Sequence, residues 1–149
     1  MRDHINNELK QAIKAQQKRR MSTLRLINAA IKDRDIASRS NGQDGVADSE
    51  ILEILAKMIK QRRESVKTYE EAGRLELAEA ELEEIDIIQS FLPAQLSDEE
   101  SRTAVEEVIK DIGAESLKDM GRTMSTLKER YSGQMDFSKS SAMVREILG

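Results

Sequence analysis

Among the residue types that could do chemistry in this 149-residue chain, the cations form the clearest pattern. Lys18, Arg19 and Arg20 run together and Arg25 follows; Lys60, Gln61, Arg62 and Arg63 form a second run, with Lys57 and Lys67 nearby. Ammonium and guanidinium groups attract phosphates at long range, and Arg also grips them in a bidentate fork, so a polyanion is the ligand to consider. Two Tyr, two Phe and no Trp leave almost no platform for stacking unpaired bases, which argues against a single-strand binder. A net charge of −4 and a pI near 5.2 argue against a general, sequence-blind nucleic-acid binder. A folded RNA read by backbone and shape remains. The competing reading is that these runs are simply solvated helix faces.

Other chemistry finds little support. With no Cys and His4 as the only imidazole there is no thiolate metal site, no disulfide framework and no Ser-His-Asp arrangement. Ser125 and Lys128 match the S-x-x-K spacing of Ser-Lys acyl enzymes, but that spacing is common on helices and the companion motifs are missing. The run SKSS at 138–141 reads as a polar helix start. The glutamates of 76–84 lack the Glu-x-x-His partners of a di-iron bundle, and no glycine-rich phosphate loop is present. No catalytic residue, metal ligand or cofactor is assigned.

Two further residues stand out. At 100° per residue Arg62 falls on the apolar stripe of Met58, Ile59 and Val66, whereas Arg63 does not. A guanidinium there is expected to be paired or functional: an acidic side chain such as Glu81 on an antiparallel fourth helix is the structural candidate, and a ligand contact is the alternative. Gly121, inside the sixth helix, costs helix stability relative to Ala, so it is expected to admit a close neighbour, with helix packing favoured over a ligand.

The elements that position these residues read as helices throughout. Ala, Leu, Glu, Lys, Gln and Arg dominate, and apolar residues recur at three and four. The spacing predicts helices over about 3–16, 18–37, 49–71, 74–91, 98–112, 117–131 and 137–148, an all-α fold. On the second, Lys18, Arg25 and Lys32 recur every seven residues opposite Met21, Leu24, Ile27 and Ile31. The first is expected to bury Ile5, Leu9, Ala12 and Ile13, and the fourth to turn Leu75, Ala78, Leu82, Ile85 and Leu92 inward, with Ile87, Ile88 and Phe91 packed against whatever follows. Residues 38–48 read as a mobile loop ending at an N-cap, Asp48. Pro93 disfavours helix at Leu92, and Ser97 with Glu100 forms a capping box, which divides the chain into an N-terminal helical bundle at 1–92 and a smaller three-helix subdomain at 93–149.

Charge is segregated along this frame. Residues 1–40 hold ten Lys and Arg against four Asp and Glu, and residues 71–100 hold one against ten. A basic surface opposed by an acidic arm suits either an RNA or a protein partner, or two helices that complement each other. No apolar run approaches the roughly 20 residues needed to span a bilayer, and Met1-Arg2-Asp3-His4 is no secretory signal, so a soluble cytoplasmic protein without membrane contact is expected.

The strings STLRLINAAIKDRDI, EILAKMIKQRRESVKTYEEAGRLELAEAELEEIDIIQSFLPAQLS and GAESLKDMGRTMSTLKERYSG, in that order, resemble the YqeY-like family. That family is similar to the tail domain of the GatB subunit of aspartyl/glutamyl-tRNA amidotransferase. The resemblance spans essentially the whole chain and implies a two-part helical fold. It also implies association with glutamine-dependent transamidation, in which Glu or Asp already charged on tRNA becomes Gln or Asn. There the tail helps to hold tRNA, while ammonia production and activation chemistry belong to other domains. A label of carbon-nitrogen ligase with glutamine as amido-N-donor would describe that larger enzyme, so whether this chain is an enzyme stays open. The expectation is a tRNA-binding module that is non-catalytic alone, with amidotransferase subunits as possible partners; a protein-interaction module and a ligase relative are the alternatives. Lys18, Arg19, Arg20, Arg25, Lys60 and Arg63 remain candidate RNA contacts from the residues themselves. Lys118, Arg122 and Lys128 join them because tail domains are thought to grip tRNA through the last subdomain.

Overall fold

The computed structural model describes residues 1–40, 42 and 45–149, and among these the regular structure is entirely helical. The chain forms two compact units, Met1–Leu92 and Pro93–Gly149.

The first unit contains α1 (Arg2–Lys14), α2 (Lys18–Arg39), α3 (Asp48–Glu71) and α4 (Leu75–Gln89). Apolar residues spaced three and four apart give each helix a stripe, and the stripes meet in a core where Ile5, Leu24, Ile27, Ile51, Leu55 and Ile88 are fully buried. Each such side chain removed from water contributes about 1.5–3 kcal/mol before the entropy cost of folding. The turn between α3 and α4 depends on Gly73, whose φ of 74° lies in the left-handed region, and the Arg74 N–H closes it by donating to the Tyr69 carbonyl at 2.8 Å. α4 packs against α3 and α2, and α1 lies on α2. The His4 ring meets Phe91 edge-on at 5.2 Å, a packing role for the one imidazole.

Several expectations change here. α2 continues to Arg39, with Ser38 buried and its hydroxyl donating to the Arg34 carbonyl. Beyond it, the Val46 N–H donates to Asp35 Oδ1 at 2.9 Å and Val46 is itself buried, so Gly45–Ala47 is not the mobile end expected; Asn41, Gln43 and Asp44 lie outside the described residues. Arg2 clasps the same carboxylate with two hydrogen bonds, Nη1 to Oδ2 at 2.8 Å and Nη2 to Oδ1 at 2.5 Å. The Arg2 guanidinium, helped by the Val46 N–H, holds the Asp35 carboxyl down at about 2. Ala47, not Asp48, is the N-cap of α3, and Asp48 sits inside the first turn, where a negative charge meets the helix dipole. Leu75 and Leu82 face solvent at 62% and 44% exposure instead of pointing inward, because α4 centres its buried side on Ala78, Ile85 and Ile88. Ile88 and Phe91 belong to the core of the first unit. Ile13 is also exposed, since α1 ends at Lys14 and the chain turns through Gln16, whose φ is 56°.

The second unit contains α5 (Asp98–Ile112), a 3-10 turn (Leu117–Asp119), α6 (Met120–Tyr131) and α7 (Phe137–Leu148) around Val105, Val108, Leu127 and Val144. α5 opens with the Ser97–Glu100 capping box, both hydrogen bonds 3.1 Å, and stops at Gly113 with φ 66°. The segment after Pro93 is fastened to this unit by the Leu96 N–H, which donates to the Gln134 carbonyl at 2.8 Å. The sixth predicted helix starts late, because the Asp119 carboxylate takes the Glu115 N–H at 2.9 Å and holds 117–119 as a tighter turn. Gly121 admits no close neighbour: a Cβ there would meet nothing within 4 Å.

Candidate nucleic-acid interface

Helix geometry decides which cations face outward. On α2, Lys18, Arg25 and Lys32 fall within about 40° of one another at 100° per residue, on the side opposite the buried Leu24, Ile27 and Ile31. All three are exposed, and none has an ion-pair partner among the described residues. Their neighbours within the basic run are committed elsewhere. Arg19 reaches α4 and pairs with Glu83 at 3.0 Å while staying half exposed. Arg20 lies on the inner side and donates to Glu8 of α1 at 2.7 Å, with about a quarter of each side chain exposed. Consecutive residues on a helix diverge by 100°, so a run of three cations in sequence cannot be one patch in space.

On α3, Lys60 and Arg63 are exposed, and Lys67 lies on the same side. Lys67 was not among the candidate contacts, yet its spacing of seven from Lys60 was the available signal. The same holds for Lys32 on α2, which shares a heptad with Lys18 and Arg25.

Arg62 turns the other way, 14% exposed at the seam between α3 and α4. Its Nε donates to Glu84 at 3.0 Å and stands 3.9 Å from Glu81. The nearer carboxylate is therefore Glu84, one turn further along α4 than the residue expected. Burial, reinforced by the charge of Glu84 and partly offset by Arg62, pushes the Glu81 carboxyl up from its ordinary value.

In the second unit, Arg122 is spent on structure. It donates to the Ile112 carbonyl at 3.1 Å, satisfying the end of α5, and to Asp119 at 3.0 Å. The two N–H groups of Glu115 and Ser116, together with Arg122, hold the Asp119 carboxyl below its usual range. Lys118 and Lys128 are exposed and lack an ion-pair partner among the described residues.

A surface groove of about 370 Å³ lies between α2 and α3, floored by Ala30, Ala37, Ile54 and Met58 and edged by Arg34 and Lys57. Its edge carries charge, but the lining residues include no nucleophile and base in hydrogen-bonding reach of each other.

Comparison with known proteins adds the remaining findings. A family model described as Yqey-like protein matches residues 2–148. A protein of Eremothecium gossypii named altered inheritance of mitochondria protein 41, mitochondrial, is 33% identical over 91 residues, which cover 61% of this chain and 48% of that protein. The like-named protein of Vanderwaltozyma polyspora is 28% identical over 145 residues, 92% of this chain and 77% of the relative. Uncharacterized protein C22F3.15 of Schizosaccharomyces pombe is 32% identical over 93 residues, 62% of this chain and 72% of the relative. This chain spans about half the length of the first of these, with 48% covered. The expectation of a cytoplasmic location is overturned by these names, since the Eremothecium and Vanderwaltozyma relatives are both called mitochondrial. Among the described residues no helix is long and apolar enough to cross a membrane.

Proposed function

The chain belongs to the YqeY-like family, and on that premise we propose that it is a tRNA-binding module associated with glutamine-dependent tRNA amidotransferase, leaving bond-making to other polypeptides. The observation that supports this reading is the row formed by Lys18, Arg25 and Lys32. These are three exposed cations in register on one helix face with no carboxylate answering them among the described residues. A face of this kind suits the regularly spaced phosphates of a folded RNA and needs no base stacking. Arg63 and, in the second unit, Lys118 and Lys128 are the further contacts; Arg19, Arg20 and Arg122 act mainly in holding the fold.

Binding of a labelled, folded tRNA transcript over a series of salt concentrations tests the reading. Affinity is expected to fall steeply with salt, with a log–log slope of about −2 to −3 from the α2 row alone and about −4 to −5 if Arg63, Lys118 and Lys128 also meet phosphates. The K18E/R25E double variant should weaken binding at least tenfold while leaving the helical circular dichroism signal intact. Affinity that ignores salt, or no binding at micromolar protein in low salt, would sink the proposal.

A further inference from the structure

We infer that the first unit pairs with a second copy of this chain through two complementary faces, the outer side of α2 on one copy meeting the outer side of α4 on the other. The α2 face carries Lys18, Arg25 and Lys32 with Ile36 in line; Ile36 is 53% exposed, and Leu26 at the edge of the face is 46% exposed. The α4 face carries Leu75 and Leu82, 62% and 44% exposed. Glu79 and Asp86 share it, all four residues falling within about 60° at 100° per residue. Neither of these two carboxylates has an ion-pair partner among the described residues, and the same is true of the three cations.

Each face thus combines exposed large apolar side chains with unanswered charge, basic on α2 except for the exposed Asp33 near Leu26 and acidic on α4. Apolar residues rimmed by charge mark association surfaces, and opposite charge selects the partner and sets its register. The occupant follows from that sign. A second copy brings an acidic, leucine-bearing α4 to a basic, isoleucine-bearing α2, whereas like faces repel. The chain already makes one basic-to-acidic contact between these helices internally, where Arg19 of α2 meets Glu83 of α4 at 3.0 Å. The heptad spacing gives the two rows a matching repeat of about 10 Å. The pairing does not rest on the RNA reading, although both use Lys18, Arg25 and Lys32.

Sedimentation of the nucleic-acid-free chain from low to high micromolar concentration tests the inference. In low salt the mass should exceed that of the monomer, and added salt should raise the dissociation constant several-fold. The K18E/R25E/K32E variant and the E79K/D86K variant should each weaken association at least tenfold, both with unchanged helical dichroism. An equimolar mixture of the two should associate again, because each then finds opposite charge on the other, and a chain carrying all five changes should associate alone. A monomeric parent chain in low salt overturns the inference. So does association that survives both reversals, or a mixture that fails to restore it. Loss of tRNA binding with association intact, or the reverse, tells the two proposals apart.

Discussion

Arg62 on α3 and Glu84 on α4 meet at 3.0 Å with the Arg62 side chain 14% exposed, and Glu81 stands 3.9 Å from the same nitrogen. One cation therefore serves two carboxylates across the seam that joins the α3–α4 hairpin. Because the groups are only partly buried, the arrangement has access to some water, and its net worth lies between that of a surface pair and that of a buried one.

Replacing Arg62 by Ala leaves two like charges facing each other at that seam. The expected cost is about 1–3 kcal/mol, seen as a lower thermal midpoint, with tRNA affinity per folded molecule unchanged. An unchanged midpoint with weakened tRNA binding would instead make Arg62 a ligand contact.

Glu81 has a different sign. Burial first, and then the charge of Glu84, raise its carboxyl above the ordinary value of 4.5, so its ionisation opposes folding as the pH climbs past that value. The Glu81→Gln variant should melt at a higher temperature than the parent chain near neutral pH. The gain should vanish once the carboxyl is protonated in both folded and unfolded states, at about pH 3. A lower midpoint at neutral pH would show that attraction to Arg62 outweighs burial.

Asp35 runs opposite to Glu81. Its carboxyl is held down at about 2, chiefly by the hydrogen bonds from Arg2 and then by the Val46 N–H, against an ordinary value of 3.8. The stabilisation is full above the ordinary value and is lost as pH falls through the folded value. The difference in thermal midpoint between the parent chain and Asp35→Asn should accordingly be constant above about pH 5 and shrink toward zero near pH 2. A difference that persists undiminished into acid would mean that the clasp does not act through charge.

Gly121 stands in α6 with open space where a Cβ would point. Gly121→Ala should raise stability by about 0.5–1 kcal/mol through helix propensity and reduced freedom of the unfolded chain. A loss of stability, read from urea titration, would restore the close-neighbour reading that the sequence suggested.

Local signals carried much of the fold. The apolar repeat at three and four residues placed seven helices within a few residues of their observed ends, and the Ser97–Glu100 capping box and Gly113 marked α5. The opposition of Lys18, Arg25 and Lys32 to the buried Leu24, Ile27 and Ile31 was also legible, because 100° per residue fixes which side chains share a face before any packing is known. The run Lys18-Arg19-Arg20 misled for the same reason: adjacency in sequence is divergence in space, and only the positions of α1 and α4 show that Arg20 meets Glu8 and Arg19 meets Glu83.

By itself, then, the sequence determined the helical class, the family likeness and the faces of single helices, all of which depend on neighbours a few residues apart. The tertiary structure alone decided that Leu75 and Leu82 stay in water, that Glu84 rather than Glu81 lies nearest Arg62, and that Asp35 ties Arg2 to Val46. Each of those depends on how far one helix slides or rotates against another. A shift of one turn exchanges the partners while leaving the periodic pattern untouched.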